Sequence, residues 1–242
     1  MALPKLNESA KYELTVPSTQ EIIHFRPYLV KEEKILMHAL ETGTTSDQVN
    51  AVLNTVRVCI DEDIDLENLP SFDLDYLFLK LRAKSVGEIS KINFKCNNNE
   101  CLKQNGPIDV NLQDIEVQNL DRKSKMIELS EDVSIELGAP TYNDLKKLDL
   151  KDGDNIETTE NIFKMISACI KSIITPDEKI LSKDCSEKEL NDFVESMSSS
   201  QFTKISSYVD NLPELSTTIK FTCVSCNKEN EQVIRGLQNF FA

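Results

Sequence analysis

The alternation of apolar and polar side chains divides this chain into short strands and amphipathic helices. Tyr12-Glu-Leu-Thr-Val16 and Glu21-Ile-Ile-His-Phe-Arg26 read as two β-rich runs around the turn Pro17-Ser-Thr, with Pro27 closing the second, so a hairpin is expected to open the fold. From Lys31 the period lengthens. Ile35, Leu36, Ala39 and Leu40 share a helix face, and Gly43 stands where a left-handed C-terminal residue is wanted. Ser46 is placed to cap a second helix carrying the stripe Val49, Val52, Leu53, Val56 and Cys59. A third helix is predicted over 71–85, with Leu74, Leu77, Phe78 and Leu81 at i, i+3, i+4 and i+7. Tyr76 and Leu79 widen its apolar face beyond an amphipathic stripe, which predicts the most buried helix of the molecule.

A period of two returns in Ile89-Ser-Lys-Ile-Asn-Phe-Lys-Cys96 and in Pro107-Ile-Asp-Val-Asn-Leu112, a hairpin with cysteines at its tip. Near the C-terminus, Thr217-Thr-Ile-Lys-Phe-Thr-Cys223-Val-Ser-Cys226 and the run ending at Val233-Ile-Arg235 have the same layout. Both segments contain Ile-x-Phe-x-Cys, at Ile92, Phe94, Cys96 and at Ile219, Phe221, Cys223, and read as one hairpin used twice. Between them, Lys125-Met-Ile-Glu-Leu129 and Val133-Ser-Ile-Glu-Leu137 are short β-rich runs, followed by helix. Thr141 with Asp144 is a loose capping box, and Thr158 or Thr159 opens an apolar helix running through Ile162, Phe163, Met165, Ile166, Cys169, Ile170 and Ile173. Ser186 with Glu189 is a second box, and Ser200 starts a last helix through Phe202, Ile205 and Tyr208. The expected fold is α+β: a β-hairpin-rich unit with two cysteine-tipped, zinc-ribbon-like hairpins and a largely helical insertion. Its expected divisions are an N-terminal α+β unit over 1–118, a mostly helical insertion over 119–213, and a C-terminal cysteine hairpin over 214–242 packing back on the first.

Composition narrows the function. With 40% hydrophobic and 28% charged residues in 242, the chain has the make-up of a globular protein. A net charge of −14 argues against nucleic-acid binding as its main role, because such binders neutralise phosphates with Lys and Arg. No run approaches the roughly 18 apolar residues of a membrane span, and the opening lacks the basic-then-apolar layout of a signal peptide, so a cytosolic protein is expected. Two histidines, His24 and His38, and no tryptophan leave little of the usual catalytic vocabulary, and neither histidine has a sequence partner for acid–base or nucleophilic work. A non-enzymatic role is expected.

Seven cysteines in such a chain are thiols or metal ligands rather than a disulfide framework. Cys59, Cys169 and Cys185 stand alone, and Cys169 lies among Ile, Phe and Met as an inert core thiol. Cys96 and Cys101 form a C-x4-C pair and Cys223 and Cys226 a C-x2-C pair. A thiolate pair on a hairpin tip is half of a tetrahedral zinc site, and two such hairpins side by side would close a four-sulfur structural site with no open position for water. The other reading is that cysteines in turns remain free thiols; the C-x4-C spacing is looser than a zinc ribbon's. If zinc binds, it pins the ends of the long insertion, and its loss is expected to unfold the β unit. Asp61-Glu-Asp63-Ile-Asp65 begins like a calcium loop but has Leu66 and Phe72 where glycine and glutamate are needed, and reads as a solvated acidic linker.

Leu69-Pro-Ser-Phe-Asp-Leu-Asp-Tyr-Leu-Phe-Leu-Lys-Leu-Arg-Ala-Lys-Ser-Val-Gly-Glu88 resembles the baseplate hub proteins of T4-type contractile-tailed phages, a family that includes a hub subunit and a hub assembly factor. The opening Met-Ala-Leu-Pro-Lys-Leu, the run from Tyr12 to Ser18, the segment Phe25 to Leu36 and the first cysteine hairpin are similar to that family as well. The likeness covers most of 1–118 and the terminal cysteine hairpin, with C-x4-C departing from a tighter first pair. It implies a protein of the infected bacterial cytoplasm or the virion tail that forms, or helps to assemble, the baseplate hub. Its implied partners are other phage hub or tail proteins, with neither nucleic acid nor membrane, and it carries no catalytic residues. The alternative from the cysteine hairpins alone is a zinc-ribbon-like module acting on nucleic acid or a transcription component.

Overall fold

The computed structural model describes residues 10–42, 44–122, 124–147 and 159–240. The chain opens on β1 (Tyr12–Thr15) and β2 (Ile22–Phe25), an antiparallel hairpin in which Tyr12 faces Phe25. Three helices follow: α1 (Val30–Thr42), α2 (Thr45–Cys59) and α3 (Ser71–Ser85). Thr44, two residues before the expected Ser46, caps α2. Its hydroxyl accepts the Asp47 N–H, and the Asp47 carboxylate accepts the Thr44 N–H in return. The reason is local, since a reciprocal box needs an acceptor three residues on, and Ser46 has Val49 there. The expected cap at Gly43 lies outside the described residues.

Helix α3 is the pivot of the fold, with ten of its 15 residues buried. Leu74, Leu77, Phe78 and Leu81 pack with Ile23, Phe25, Leu53 and Val56 in one core. Phe72, Tyr76, Leu79 and Ala83 pack with Phe94, Val110, Leu112, Leu215 and Ile234 in a second. A helix that separates two cores has to be apolar on both sides, which is what Tyr76 and Leu79 signal in the sequence. Two of its buried charged residues, Asp73 and Lys80, are satisfied. Asp73 accepts the Ser18 N–H at 3.0 Å and the Ser18 hydroxyl. The Lys80 ammonium donates to the carbonyls of Gln113 at 2.6 Å and Ile115 at 2.8 Å and pairs with Glu116 at 3.0 Å. Such a group would be costly to bury unpaired.

After α3 come β3 (Ile89–Lys95) and β4 (Gln104–Asn111), paired antiparallel, and then β5 (Glu116–Gln118). The middle of the chain contains β6 (Ser124–Glu128), β7 (Ser134–Gly138), α4 (Tyr142–Lys147), α5 (Thr159–Cys169), β8 (Ile170–Ile174), β9 (Lys179–Leu181), α6 (Glu187–Glu195) and α7 (Ser199–Val209). The stretch expected to be mostly helical therefore carries a four-stranded antiparallel sheet, in the order β6-β7-β8-β9. Helix α5 stops at Cys169, so Ile170 and Ile173, read as helical, belong to the strand β8 between β7 and β9. The isoleucines of the Ile-Lys-Ser-Ile-Ile run are β-branched, and short runs of such residues that continue a helical period cannot reveal that they are buried within a sheet. Thr158 lies outside the described residues. Ile127, Ile135, Leu137, Ile166, Ile170, Val194, Ile205 and Tyr208 form a third core between this sheet and α5–α7.

The last two strands are β10 (Glu214–Thr222) and β11 (Glu229–Arg235). Strand β10 pairs with β11 on one side and with β5 on the other, giving a three-stranded sheet in the order β11-β10-β5. The pairing of Leu215 with Val117 returns the C-terminal hairpin to the segment that follows the first one.

Candidate metal centre

The β3–β4 and β10–β11 hairpins lie against one another. Phe94 and Phe221, the aromatic residue of each repeat, meet with ring centroids 5.5 Å apart. Gly106 permits the close approach within the first hairpin: its φ is +129°, and a Cβ there would stand 2.9 Å from the Ile92 carbonyl oxygen, beside the register shift in β3.

The tips bring four cysteines together. The sulfurs of Cys96, Cys101, Cys223 and Cys226 all lie within 4.8 Å of one another, with Cys96 and Cys226 3.6 Å apart and Cys101 and Cys223 3.8 Å apart. Four sulfurs placed ~2.3 Å from a tetrahedral zinc ion are separated by about 3.8 Å, so these spacings suit that donor set. Cys96 and Cys223 are buried, Cys101 is half-buried and Cys226 exposed, and none of them is in a disulfide. Both tips are built alike. The Cys96 N–H donates to the Lys103 carbonyl and the Cys223 N–H to the Lys228 carbonyl, each at 2.9 Å. The residue after each second cysteine is left-handed, Leu102 with φ 49° and Asn227 with φ 55°. The two additional residues of the first pair are taken up in a turn over Asn98, whose carbonyl accepts the N–H groups of Cys101 and Leu102 at 2.9 and 3.0 Å.

The sulfurs differ electrostatically. Backbone N–H groups of Cys226 and Ser225 point at Cys223 and hold its thiol down at about 6. Cys96 receives the Asn98 N–H at 3.5 Å, which favours its thiolate. Burial and the adjoining sulfurs of Cys226 and Cys223 outweigh that bond and raise Cys96 to about 11. One thiolate disfavours a second beside it, whereas a divalent cation at their centre would favour all four.

Two residues not singled out in the sequence complete the arrangement. The Asn105 side-chain oxygen accepts the Val224 N–H at 2.8 Å, and the Asn230 oxygen accepts the Asn97 N–H at 2.7 Å. A signal for them was present: Cys101-Leu-Lys-Gln-Asn105 and Cys226-Asn-Lys-Glu-Asn230 extend the repeat by Cys-x-Lys-x-Asn.

The remaining cysteines stand apart from this cluster. Burial pushes Cys59 up to about 11 and Cys169 up to about 12, while Cys185 is raised by burial and by Glu189 and Asp184. Within the acidic run, Asp61 pairs with Lys11 and Glu62 with His24, so those carboxylates fasten the opening hairpin.

A model of the family described as T4 bacteriophage base plate protein matches residues 9–242. The chain belongs to that family. A relative, the baseplate hub assembly protein gp26 of Enterobacteria phage T4, is 26% identical over 232 residues, spanning 96% of this chain and 98% of the relative. No solved structure matches the chain. The similarity read at Leu69 to Glu88 thus extends through the middle of this base plate protein and its terminal hairpin. Its cysteine cluster draws ligand-type residues from two widely separated parts of the matched span.

Proposed function

We propose that this base plate protein helps to build the central hub of a contractile-tail baseplate through protein–protein contacts, with no enzymatic step, in the infected host cell. The observation that carries this reading is a family match over residues 9–242, joined to an alignment with a hub assembly protein that runs nearly the full length of both chains. The partners are other hub or tail proteins, and a chain of net charge −14 suits a basic docking surface, since complementary charge speeds and orients encounter. The nucleic-acid module considered from the cysteine hairpins has no support in the family match. Deleting the gene from its phage tests the proposal. Tails that stall before a complete hub forms, restored by supplying the protein in trans, are expected; complete hubs in the deletion phage would overturn it. Mass spectrometry of purified wild-type virions then separates a subunit that stays from a chaperone-like factor that leaves.

Within this reading, Cys96, Cys101, Cys223 and Cys226 hold a structural zinc ion, and the support is the spacing of their sulfurs. Four thiolates would close the coordination shell, leaving zinc to supply folding free energy rather than reactivity. Residues 1–118 and 214–242 then form one clasped unit into which 119–213 is inserted, a division supported by the β5–β10 pairing and by the shared core of Leu112, Ile115, Leu215 and Ile234. Elemental analysis of purified protein is expected to return one zinc per chain. Cys223→Ser should lower that content severalfold, and a chelator should lower the melting temperature of the wild type. Metal-free protein with an unchanged melting temperature would remove zinc from the account.

A further inference from the structure

We propose that Asn105 and Asn230 are a reciprocal pair of positioning residues for the metal at the four cysteines, each setting the ligand turn of the opposite hairpin. The inference rests on the zinc reading above. Both residues are only 4% exposed, so each amide has to find partners inside the protein, and the bonds it makes are directed at the ligand turns. The Asn105 oxygen accepts the N–H of Val224, the residue after Cys223, while its NH2 donates to the Lys103 carbonyl at 2.9 Å. That carbonyl also accepts the Cys96 N–H. One side chain therefore ties the backbone at Cys96 to the backbone at Cys223.

Asn230 repeats the bond set in the opposite direction. Its oxygen accepts the N–H of Asn97, the residue after Cys96, and its NH2 donates to the Lys228 carbonyl at 2.7 Å, which also accepts the Cys223 N–H. Exchanging one hairpin for the other maps Asn105 on Asn230, Phe94 on Phe221, Cys96 on Cys223 and Cys101 on Cys226. It also maps the 3.6 Å sulfur pair Cys96–Cys226 on the 3.8 Å pair Cys101–Cys223. The local relation is a pseudo-two-fold in these backbone and asparagine bonds, although the turns differ in length and the paired sulfurs of Cys96 and Cys223 differ electrostatically. Each asparagine acts on the metal through ligand backbone, and Asn105 also hydrogen-bonds the Cys223 sulfur, the way partners beyond the ligand shell orient ligands in other metal sites, where their loss costs roughly 10–100-fold in affinity.

The test uses the full-length protein and the metal alone. Cobalt(II) is titrated into wild type, Asn105→Ala, Asn230→Ala and the two aspartate variants, Asn105→Asp and Asn230→Asp, which keep the cross-hairpin acceptor. Absorption from tetrahedral cobalt–thiolate is recorded, and zinc affinity is measured by competition with a chromophoric chelator. Each alanine variant is expected to lose about 10–100-fold in zinc affinity and to shift the cobalt bands at saturating metal, by similar amounts at the two positions, with aspartate recovering part of both. If one alanine variant fails to fold, the alanine variant at the other position decides the matter on the same two readouts. Wild-type affinity and wild-type cobalt bands in a folded alanine variant would overturn the positioning role while leaving the zinc reading intact. A wild-type protein that binds no cobalt would overturn both.

Discussion

His24, expected from the sequence to be structural, holds a measurable property through its carboxylate partners. Its Nδ1 lies 2.8 Å from Glu62 Oε1, its backbone N–H donates to Glu62 Oε2 at 2.8 Å, and Glu13 stands 3.5 Å from Nε2. The hydrogen bond with Glu62 raises the histidine above its ordinary 6.5, and the same bond holds Glu62 below its ordinary 4.5. A raised histidine stabilises the fold fully below its unfolded value and loses that contribution as pH rises through its folded value. A lowered glutamate stabilises fully above its unfolded value and loses its contribution as pH falls through the folded one. The pair is thus strongest between 4.5 and 6.5. Urea midpoints measured across pH should show wild type exceeding His24→Gln most within that window, with the difference shrinking toward pH 8; a difference independent of pH would refute the coupling. At Gly106, the clash of a Cβ with the Ile92 carbonyl and the positive φ predict that Gly106→Ala destabilises by about 1–3 kcal/mol in denaturant titrations. The Gly106 requirement was not legible in the sequence, because it arises from β3 approaching across the hairpin.

Elements were read best where one helix end contains its own signal. Ser186 with Glu189 forms the expected box, and Thr141 with Asp144 exchanges both bonds, because each partner lies within four residues of the other. The cap of α7 sits at Ser198, two residues before the expected Ser200, since Gln201 supplies the returning acceptor that Ser200 lacks at Thr203. The width of the apolar face on α3 was equally legible and has an energetic consequence. Leu79 is fully buried between that helix and the cysteine hairpins, so Leu79→Ala should cost about 2–5 kcal/mol of stability by chemical denaturation. A cost under 1 kcal/mol would mean that the second core collapses around the cavity. Strand β8 escaped the sequence because its isoleucines continue the spacing of α5, and only the flanking strands β7 and β9 decide that the backbone extends after Cys169.

At the scale of the whole molecule, the three cores of the described residues predict separable responses. Ile166 is fully buried in the core between the four-stranded sheet and α5–α7, away from the hairpins, so Ile166→Ala should weaken that core by about 2–5 kcal/mol. The cobalt spectrum of the folded variant should match wild type, and a changed spectrum would show that the inserted segment shapes the metal centre. The sequence by itself determined the hairpins, most helices and the duplicated Ile-x-Phe-x-Cys segments, since each is written in spacings of a few residues. It also established the chemistry on offer, two pairs of thiols. Only the tertiary structure decided that sulfurs 122 and 130 positions apart converge, because that depends on β10 reaching β5, on Phe94 meeting Phe221 and on two asparagines bonding across the tips. Those contacts join segments that no local period relates, and the entropy of closing so long a loop is offset by burial in a shared core that forms only when both hairpins are in place.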